Sequence, residues 1–276
     1  MATYLDRIIA SHRAEAGADA RDSSRLEAEA ASMPVARGFA AALRSDDQVP
    51  VIAEVKRASP SKGPLNPDLD PAGVASAYER GGAAALSVLT DAQYFSGSDA
   101  DLRAAREASA LPVLRKDFTV CANDVLDARI MGADAVLLIV AALSGTELAE
   151  LLGLATSVGM DALVEVHDED EAERALAAGA ALVGVNQRDL YSFEVDTGRA
   201  MRVRRSLPAG ICVVAESGIR SRSDVEQLAD SGFDAVLVGE TFMVSPDPGA
   251  AVAALAGVSR SRASGAGAGS GTAARR

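Results

Sequence analysis

Eight short runs of aliphatic and β-branched residues punctuate the chain, with about 26 residues between successive starts. They are Val51–Lys56, Ala85–Leu89, Pro112–Lys116, Ala135–Ile139, Ala162–Val166, Ala181–Val185, Ile211–Ala215 and Ala235–Gly239. Runs this short and this apolar fit parallel strands buried on both faces. The stretches between them place apolar residues at helical spacing, as in Leu148, Leu151, Leu152 and Ala155, or Val225 and Leu228. Several end on a glycine just before the next strand: Gly82, Gly132, Gly159, Gly179, Gly210 and Gly232. A glycine there is the expected stop for a helix feeding a strand. Eight strands alternating with helices predict an α/β fold, specifically a (β/α)8 TIM barrel. A doubly wound sheet is the alternative, and the steady count of eight disfavours it.

Residues 1–48 precede the first strand and carry their own stripe, Leu5, Ile8, Ile9 and His12, then a second around Phe39 and Leu43. This pattern predicts an N-terminal helical extension packed on the barrel. The expected organisation is a single domain over 1–257, with the barrel at 49–257. Residues 258–276 are mostly Ser, Gly, Ala and Arg with no apolar pattern, and are expected to form a disordered tail.

Composition narrows the function. Apolar residues make up 49% of the chain, aromatics only 4%, Trp is absent and mean hydropathy is +0.12. Small aliphatics must therefore do the packing. No apolar run reaches the roughly 18 residues of a membrane span. Met1–Asp6 lacks the layout of a secretion signal, so a cytoplasmic protein is expected. A net charge of -12 argues against nucleic-acid or anionic-membrane partners. An anionic ligand would need a local constellation working against the global field. Cys121 and Cys212 stand apart, without a metal-binding spacing.

The basic residues are unusually skewed. Lys occurs only at 56, 62 and 116, which leaves 24 of the 27 basic residues as Arg. A primary amine can exchange a proton when buried, whereas guanidinium cannot. Lys56 and Lys116 are thus candidates for chemistry, while Lys62 is ascribed to chance. Barrel enzymes carry their sites at the carboxyl ends of the strands. In the first strand Ile52, Glu54 and Lys56 alternate away from Val51, Ala53 and Val55, which sends Glu54 and Lys56 into the barrel mouth. The third strand ends Lys116-Asp117-Phe118, the fifth carries Glu165, the sixth ends with Asn186 and Arg188 in phase, and the seventh ends with Glu216. His167 is in phase with Glu165, but a histidine at a helix start is ordinarily just solvated. Ser217-Gly218 and Gly239-Glu240, after strands seven and eight, offer bare backbone N–H groups where barrels frequently bind phosphate.

These residues resemble the indole-3-glycerol-phosphate synthases. The likeness is carried by Val51-Ile-Ala-Glu-Val-Lys-Arg-Ala-Ser-Pro-Ser-Lys-Gly63, Leu86-Ser-Val-Leu-Thr-Asp91, Leu114-Arg-Lys-Asp-Phe118, Val164-Glu-Val-His167, Gly184-Val-Asn-Gln-Arg-Asp-Leu190 and Ala215-Glu-Ser-Gly-Ile219. It implies closure of the indole ring on 1-(2-carboxyphenylamino)-1-deoxyribulose 5-phosphate, with loss of carbon dioxide and water, and no metal or organic cofactor. By position, Lys116 is implied as general acid, Glu165 as proton-transfer partner in dehydration, and Glu54 as the group holding the lysines in register. Lys56 is implied near the phosphate and the developing hydroxyl, Asn186 on a sugar hydroxyl, Arg188 on the anthranilate carboxylate, and Glu216 in the polar ring. Ser59 belongs to the binding motif after the first strand. Ser217, Gly218, Gly239 and Glu240 would cradle phosphate, and Phe95, Phe118 and Leu137 would wall the aromatic ring. The expected partner is a small phosphorylated substrate, with the protein a monomer or weak homo-oligomer beside tryptophan-pathway neighbours.

One stretch departs from the family. Its members usually carry Asp-Pro-Tyr-Gln where this chain has Cys121-Ala122-Asn123-Asp124, which predicts a looser or differently packed mouth loop. For Lys116, a desolvated amine near other cations implies a lowered pKa. Three other readings compete. A phosphoribosylanthranilate isomerase would need a Cys and an Asp at strand ends one and five, where this chain has Lys56 and Glu165. A Schiff-base aldolase would use Lys116 as nucleophile. A non-catalytic paralogue would have lost strand-end charges that are all present here.

Overall fold

The structure, a computed structural model, describes residues 3–45, 47–60, 62–188 and 195–260. Ser61, Asp189 and Leu190 of the quoted motifs, and residues 261–276 of the predicted tail, lie outside the described residues.

The eight predicted runs are the eight strands of a closed parallel barrel, and no end has moved by more than one residue. They are β1 Val51–Val55, β2 Ala85–Leu89, β3 Val113–Lys116, β4 Ala135–Ile139, β5 Asp161–Val166, β6 Leu182–Asn186, β7 Cys212–Glu216 and β8 Ala235–Val238. Closure comes from β8 pairing back on β1, with Val51 opposite Val236 and Ala53 opposite Val238. Strand alternation divides the apolar residues into two layers. Val51, Ala53 and Val55 face outward into the layer shared with the helices. Ile52, Leu114, Leu163, Val214 and Leu237 fill the barrel. Each fully buried aliphatic of this kind stabilises the fold by about 1.5–3 kcal/mol.

The predicted glycine stops hold. Gly132 ends helix Ala122–Met131 at φ 96°, a left-handed conformation that other residues adopt only under strain. Helix Ala122–Met131 begins at the Cys121–Asp124 departure, and its first turn is held by hydrogen bonds. The Asp124 carboxylate accepts from the backbone N–H of Val120 (2.8 Å) and Cys121 (3.1 Å), closing the helix start. Asn123 donates to Asp19 at 2.8 Å and accepts from Ser23 at 2.9 Å, tying the same turn to the extension.

That extension runs the height of the barrel. Helix α1, Tyr4–Ala18, begins with a reciprocal cap between Thr3 and Asp6 and lies over the mouth. His12 is 2.9 Å from Asp91, and Arg13 makes 2.8 and 3.1 Å bonds to Glu147. Helix α2, Ser23–Ser32, packs Leu26 and Ala30 on Leu126 at the outside. Helix α3, Phe39–Ala42, then pushes Phe39 and Leu43 into the opposite end of the barrel, against Ala85, Ala135 and Ala235. The small side chains at these strand starts leave the room that the plug fills.

The chain remains attached beyond the barrel helices. Val258 is buried, Ser259 bridges Gln48, and Arg260 pairs with Asp234, so the composition-based boundary at 257 falls short of the last packed residue. Both cysteines are free. Among the described residues no helix is long and apolar enough to cross a membrane.

Candidate active site

At the carboxyl ends of the strands lies a cavity of about 420 Å³. Every residue singled out from the sequence lines it: Glu54, Lys56, Ser59, Phe95, Lys116, Phe118, Leu137, Glu165, Asn186, Arg188, Glu216, Ser217, Gly218, Gly239 and Glu240. Among the lining residues not assigned to the site from the sequence are Tyr4, Leu5 and Ile8 of α1. Leu5 and Ile8 belong to the predicted stripe, but periodicity shows only that a helix has an apolar face, not what that face covers.

The charges fall into two lysine clusters. Lys116 Nζ lies 2.8 Å from Glu165 Oε2 and 3.5 Å from Glu216 Oε2, with all three side chains largely buried. Across the mouth, Lys56 Nζ donates to Glu54 Oε1 at 2.6 Å. Glu54 Oε2 also faces Ser87 Oγ at 3.5 Å. Lys62, by contrast, is half exposed and 3.5 Å from Glu240.

Lys116 departs from expectation. Burial lowers its pKa, but Glu165, Glu216 and Glu54 together outweigh burial and raise it. Cationic neighbours would lower it, but the groups nearest Lys116 are glutamates, and it is held as an ammonium. The two glutamates beside it are driven apart. Burial raises Glu165, yet the charges of Lys116 and His167 and the bonds from Lys116 and Asn186 pull it down. Glu216 is raised to about 8, chiefly by burial, with Glu165 adding repulsion against the pull of Lys116. Its Oε1 has no hydrogen-bond partner. Gly184 makes the space for that atom, since a Cβ there would overlap Glu216 Oε1.

The rim carries the polar contacts. Asn186 Nδ2 donates to Glu165 Oε1 at 3.3 Å, while its Oδ1 accepts from the Arg188 backbone at 3.0 Å. The Arg188 guanidinium is 3.6 Å from Glu240 and partly open to solvent. Ser217 and Gly218 both adopt positive φ, 67° and 74°, turning the chain sharply after β7. Gln187 Nε2 donates to Ser217 O at 2.8 Å, and Thr241 Oγ1 to Ile219 O at 2.7 Å, joining the loops after β6, β7 and β8. Gly239 has a further use that its sequence context did not show. A Cβ there would overlap Glu54 Oε1 and crowd Lys56 Nζ, so its bareness already serves that ion pair. On the apolar side Phe95 and Phe118 lie 6.2 Å apart, centre to centre, near buried Leu137.

His12, Asp91 and Asp117 place three possible metal-ligand atoms close together. Their atoms are already committed. Asp91 takes His12 on one oxygen and the Tyr94 and Phe95 N–H groups on the other, and Asp117 takes Thr90, Arg115 and its neighbour Phe118. This cluster fastens α1 to the mouth.

A closed (β/α)8 barrel with an ammonium, three carboxylates and an arginine around one mouth defines an acid–base enzyme of the TIM-barrel class. Structural likeness is broad and shallow in sequence. Thiamine phosphate pyrophosphorylase from Pyrococcus furiosus is 16% identical at a TM-score of 0.56, covering 75% of this chain and 93% of that one. The N-acetylmannosamine-6-phosphate 2-epimerase from Clostridium perfringens is 16% identical at 0.56, covering 70% and 86%. The 3-hexulose-6-phosphate synthase from Salmonella typhimurium is 12% identical at 0.58, covering 75% and 96%. At these identities the likeness is one of fold. Residues 5–255 match the indole-3-glycerol phosphate synthase family, and the chain belongs to it. It is a lyase-type enzyme of tryptophan biosynthesis.

Proposed function

We infer that the protein acts as a carbon–carbon carboxy-lyase, converting 1-(2-carboxyphenylamino)-1-deoxyribulose 5-phosphate to indole-3-glycerol phosphate, carbon dioxide and water. The observation that carries this is Lys116, a buried ammonium between Glu165 and Glu216. Ring closure needs a proton delivered to the ribulose carbonyl as the aromatic carbon attacks, and an amine that holds its proton at neutral pH supplies it. When carbon dioxide has left and the ring hydroxyl must go, Glu165 is the adjacent proton carrier. Glu54 keeps Lys56 toward the phosphate side and the departing hydroxyl. Asn186 binds a sugar hydroxyl and Arg188 the anthranilate carboxylate, while Glu216 keeps Lys116 in the ring of carboxylates. Ser59, Ser217, Gly218, Gly239 and Glu240 form the phosphate end, and Phe95, Phe118 and Leu137 clasp the aromatic ring. The enzyme would work in the cytoplasm as a monomer or weak homo-oligomer, needing no metal, organic cofactor, nucleic acid or membrane, beside other tryptophan-pathway enzymes.

The aldolase reading fares worse on the same atoms. A Schiff base requires a free amine, and the glutamates around Lys116, Glu165 foremost, keep it charged. Fluorescence of indole-3-glycerol phosphate formed from the carboxyphenylamino substrate tests the assignment. Absence of product, with borohydride trapping an imine on Lys116, would overturn it.

A further inference from the structure

One buried titratable group beside the lysine cluster has no part in the chemistry above. His167 follows β5, two residues beyond Glu165, and its side chain is only 9% exposed, not solvated as its place before a helix implied. Glu171, in helix Glu169–Ala177, accepts from the His167 backbone N–H at 2.8 Å and faces the ring Nδ1 at 3.0 Å. A carboxylate already holding that N–H turns its oxygen toward Nδ1, so Nδ1 carries a hydrogen. The other ring nitrogen, Nε2, is buried and has no hydrogen-bond partner. It faces Glu165 Oε1 at 3.5 Å. In a neutral ring, Nε2 would present a lone pair to a carboxylate oxygen in a site sheltered from water, acceptor against acceptor. In a charged ring it presents N–H.

We propose that His167 is a positioning residue for Glu165: held as an imidazolium between Glu171 and Glu165, it turns Glu165 Oε1 toward itself and leaves Oε2 for Lys116. Asn186 supports the same orientation from β6, 3.3 Å from Oε1. The charged groups facing the ring are Glu171 on its helix, Glu165 on β5 and Lys116 on β3. Burial and Lys116 oppose the charged ring, while the bond to Glu171 and the two carboxylates favour it and prevail. As pH rises and the ring loses its proton, the clamp on Glu165 is lost and proton transfer through Glu165 slows. This inference rests on the proton-transfer role given to Glu165.

The protein has two histidines, His12 and His167, so ring-nitrogen NMR signals are assigned by their loss in His167→Gln. The ring of His167 should carry hydrogens on both nitrogens at pH 7, with a titration midpoint above the ordinary ~6.5. Glu165→Gln and Glu171→Gln should each move that midpoint down by about one unit. In activity, the parent enzyme should show an alkaline fall in kcat/KM, and His167→Gln should erase it while lowering kcat by about tenfold with KM within about twofold. A neutral ring with hydrogen on Nδ1 alone at pH 7 overturns the proposal. So does a loss in His167→Gln that is uniform across pH, because a merely structural histidine would give that. The NMR result does not depend on turnover. If the imidazolium and its response to Glu165→Gln are present while no indole-3-glycerol phosphate forms, the reaction has been misassigned and the clamp stands.

Discussion

The two ends of the barrel both bury charge, and they handle it in opposite ways. At the strand starts, Asp134 is fully buried, and its oxygens accept from Arg37 N (2.7 Å), Val113 N (2.8 Å) and Arg106. Asp161 accepts from Ala40 N, and Asp234 from Val213 N and Arg260. Each carboxylate there staples one segment to the next. At the mouth, Glu165 and Glu216 share the ammonium of Lys116, with Glu54 and Lys56 beyond them, and Glu216 Oε1 and His167 Nε2 have no hydrogen-bond partner. Burial of charge therefore does not mark function here. Incomplete satisfaction does, together with like charges kept close at a cost.

The contrast is most severely tested at Lys116. Lys116→Met should cut kcat by roughly 10²–10⁴-fold, the usual range for a positioned acid, with the fold retained. Lys116→Arg should fail almost as badly, since guanidinium is a poor acid. More than about a tenth of kcat surviving in either would remove Lys116 from the chemistry. At the other end the outcome should invert. Asp134→Ala strands Arg106 and two backbone N–H groups, so stability should fall by about 2–5 kcal/mol while kcat per folded molecule is kept. Denaturant unfolding followed beside activity separates the two quantities.

Arg188 lies between these extremes, at the rim. Arg188→Ala should weaken the carboxyphenyl ligand by roughly 1.5–3 kcal/mol and barely affect its descarboxy analogue. Equal losses in the two titrations would show that Arg188 only steadies the loop through Glu240. The smallest effect is expected at Glu216. Its folded pKa, about 8, lies above the ordinary 4.5, so the native protein holds a proton that the unfolded chain releases. That contribution to stability is complete below about pH 4.5 and is lost as pH rises to about 8. Glu165 runs the other way, its contribution present above its ordinary value and lost only in acid. Glu216→Gln should flatten the decline between pH 5 and 8 by on the order of 1 kcal/mol, given its coupling to Glu165 and Lys116. An unchanged slope in pH-dependent unfolding would show that Glu216 is ionised in the native protein.

Much of this was legible in the sequence. Parallel strands buried on both faces leave uninterrupted apolar runs, and the barrel rule reduces the search for chemistry to eight strand ends, where Glu54, Lys116, Glu165, Asn186 and Glu216 announce themselves. What escaped depends on how side chains are placed in three dimensions. The lowered pKa expected of Lys116 failed because strand phase shows which groups share a mouth, but not which sign of charge stands nearest. His167 looked solvated because its partners, Glu171 one turn ahead and Glu165 two residues behind, close over it only in three dimensions. The seating of Leu5 and Ile8 over the cavity, and of Phe39 under it, has no signal in periodicity at all.

The plug has a consequence in time. Phe39 and Leu43 are made early, yet the chamber that receives them is walled by strands extending to Val238. The clasp beside it joins residues still farther apart: Val49 N donates to Val258 O at 2.8 Å, Arg260 N to Asp47 O at 2.9 Å, and Gln48 bridges Ser259. Among the described residues such pairings span some of the longest sequence separations, so their loop-closure cost is high until intervening helices and strands have shortened the path. During synthesis the extension has Leu126 to dock on long before it has a barrel to fill. The floor of the enzyme is thus among the first parts of the chain to be made and the last to be sealed.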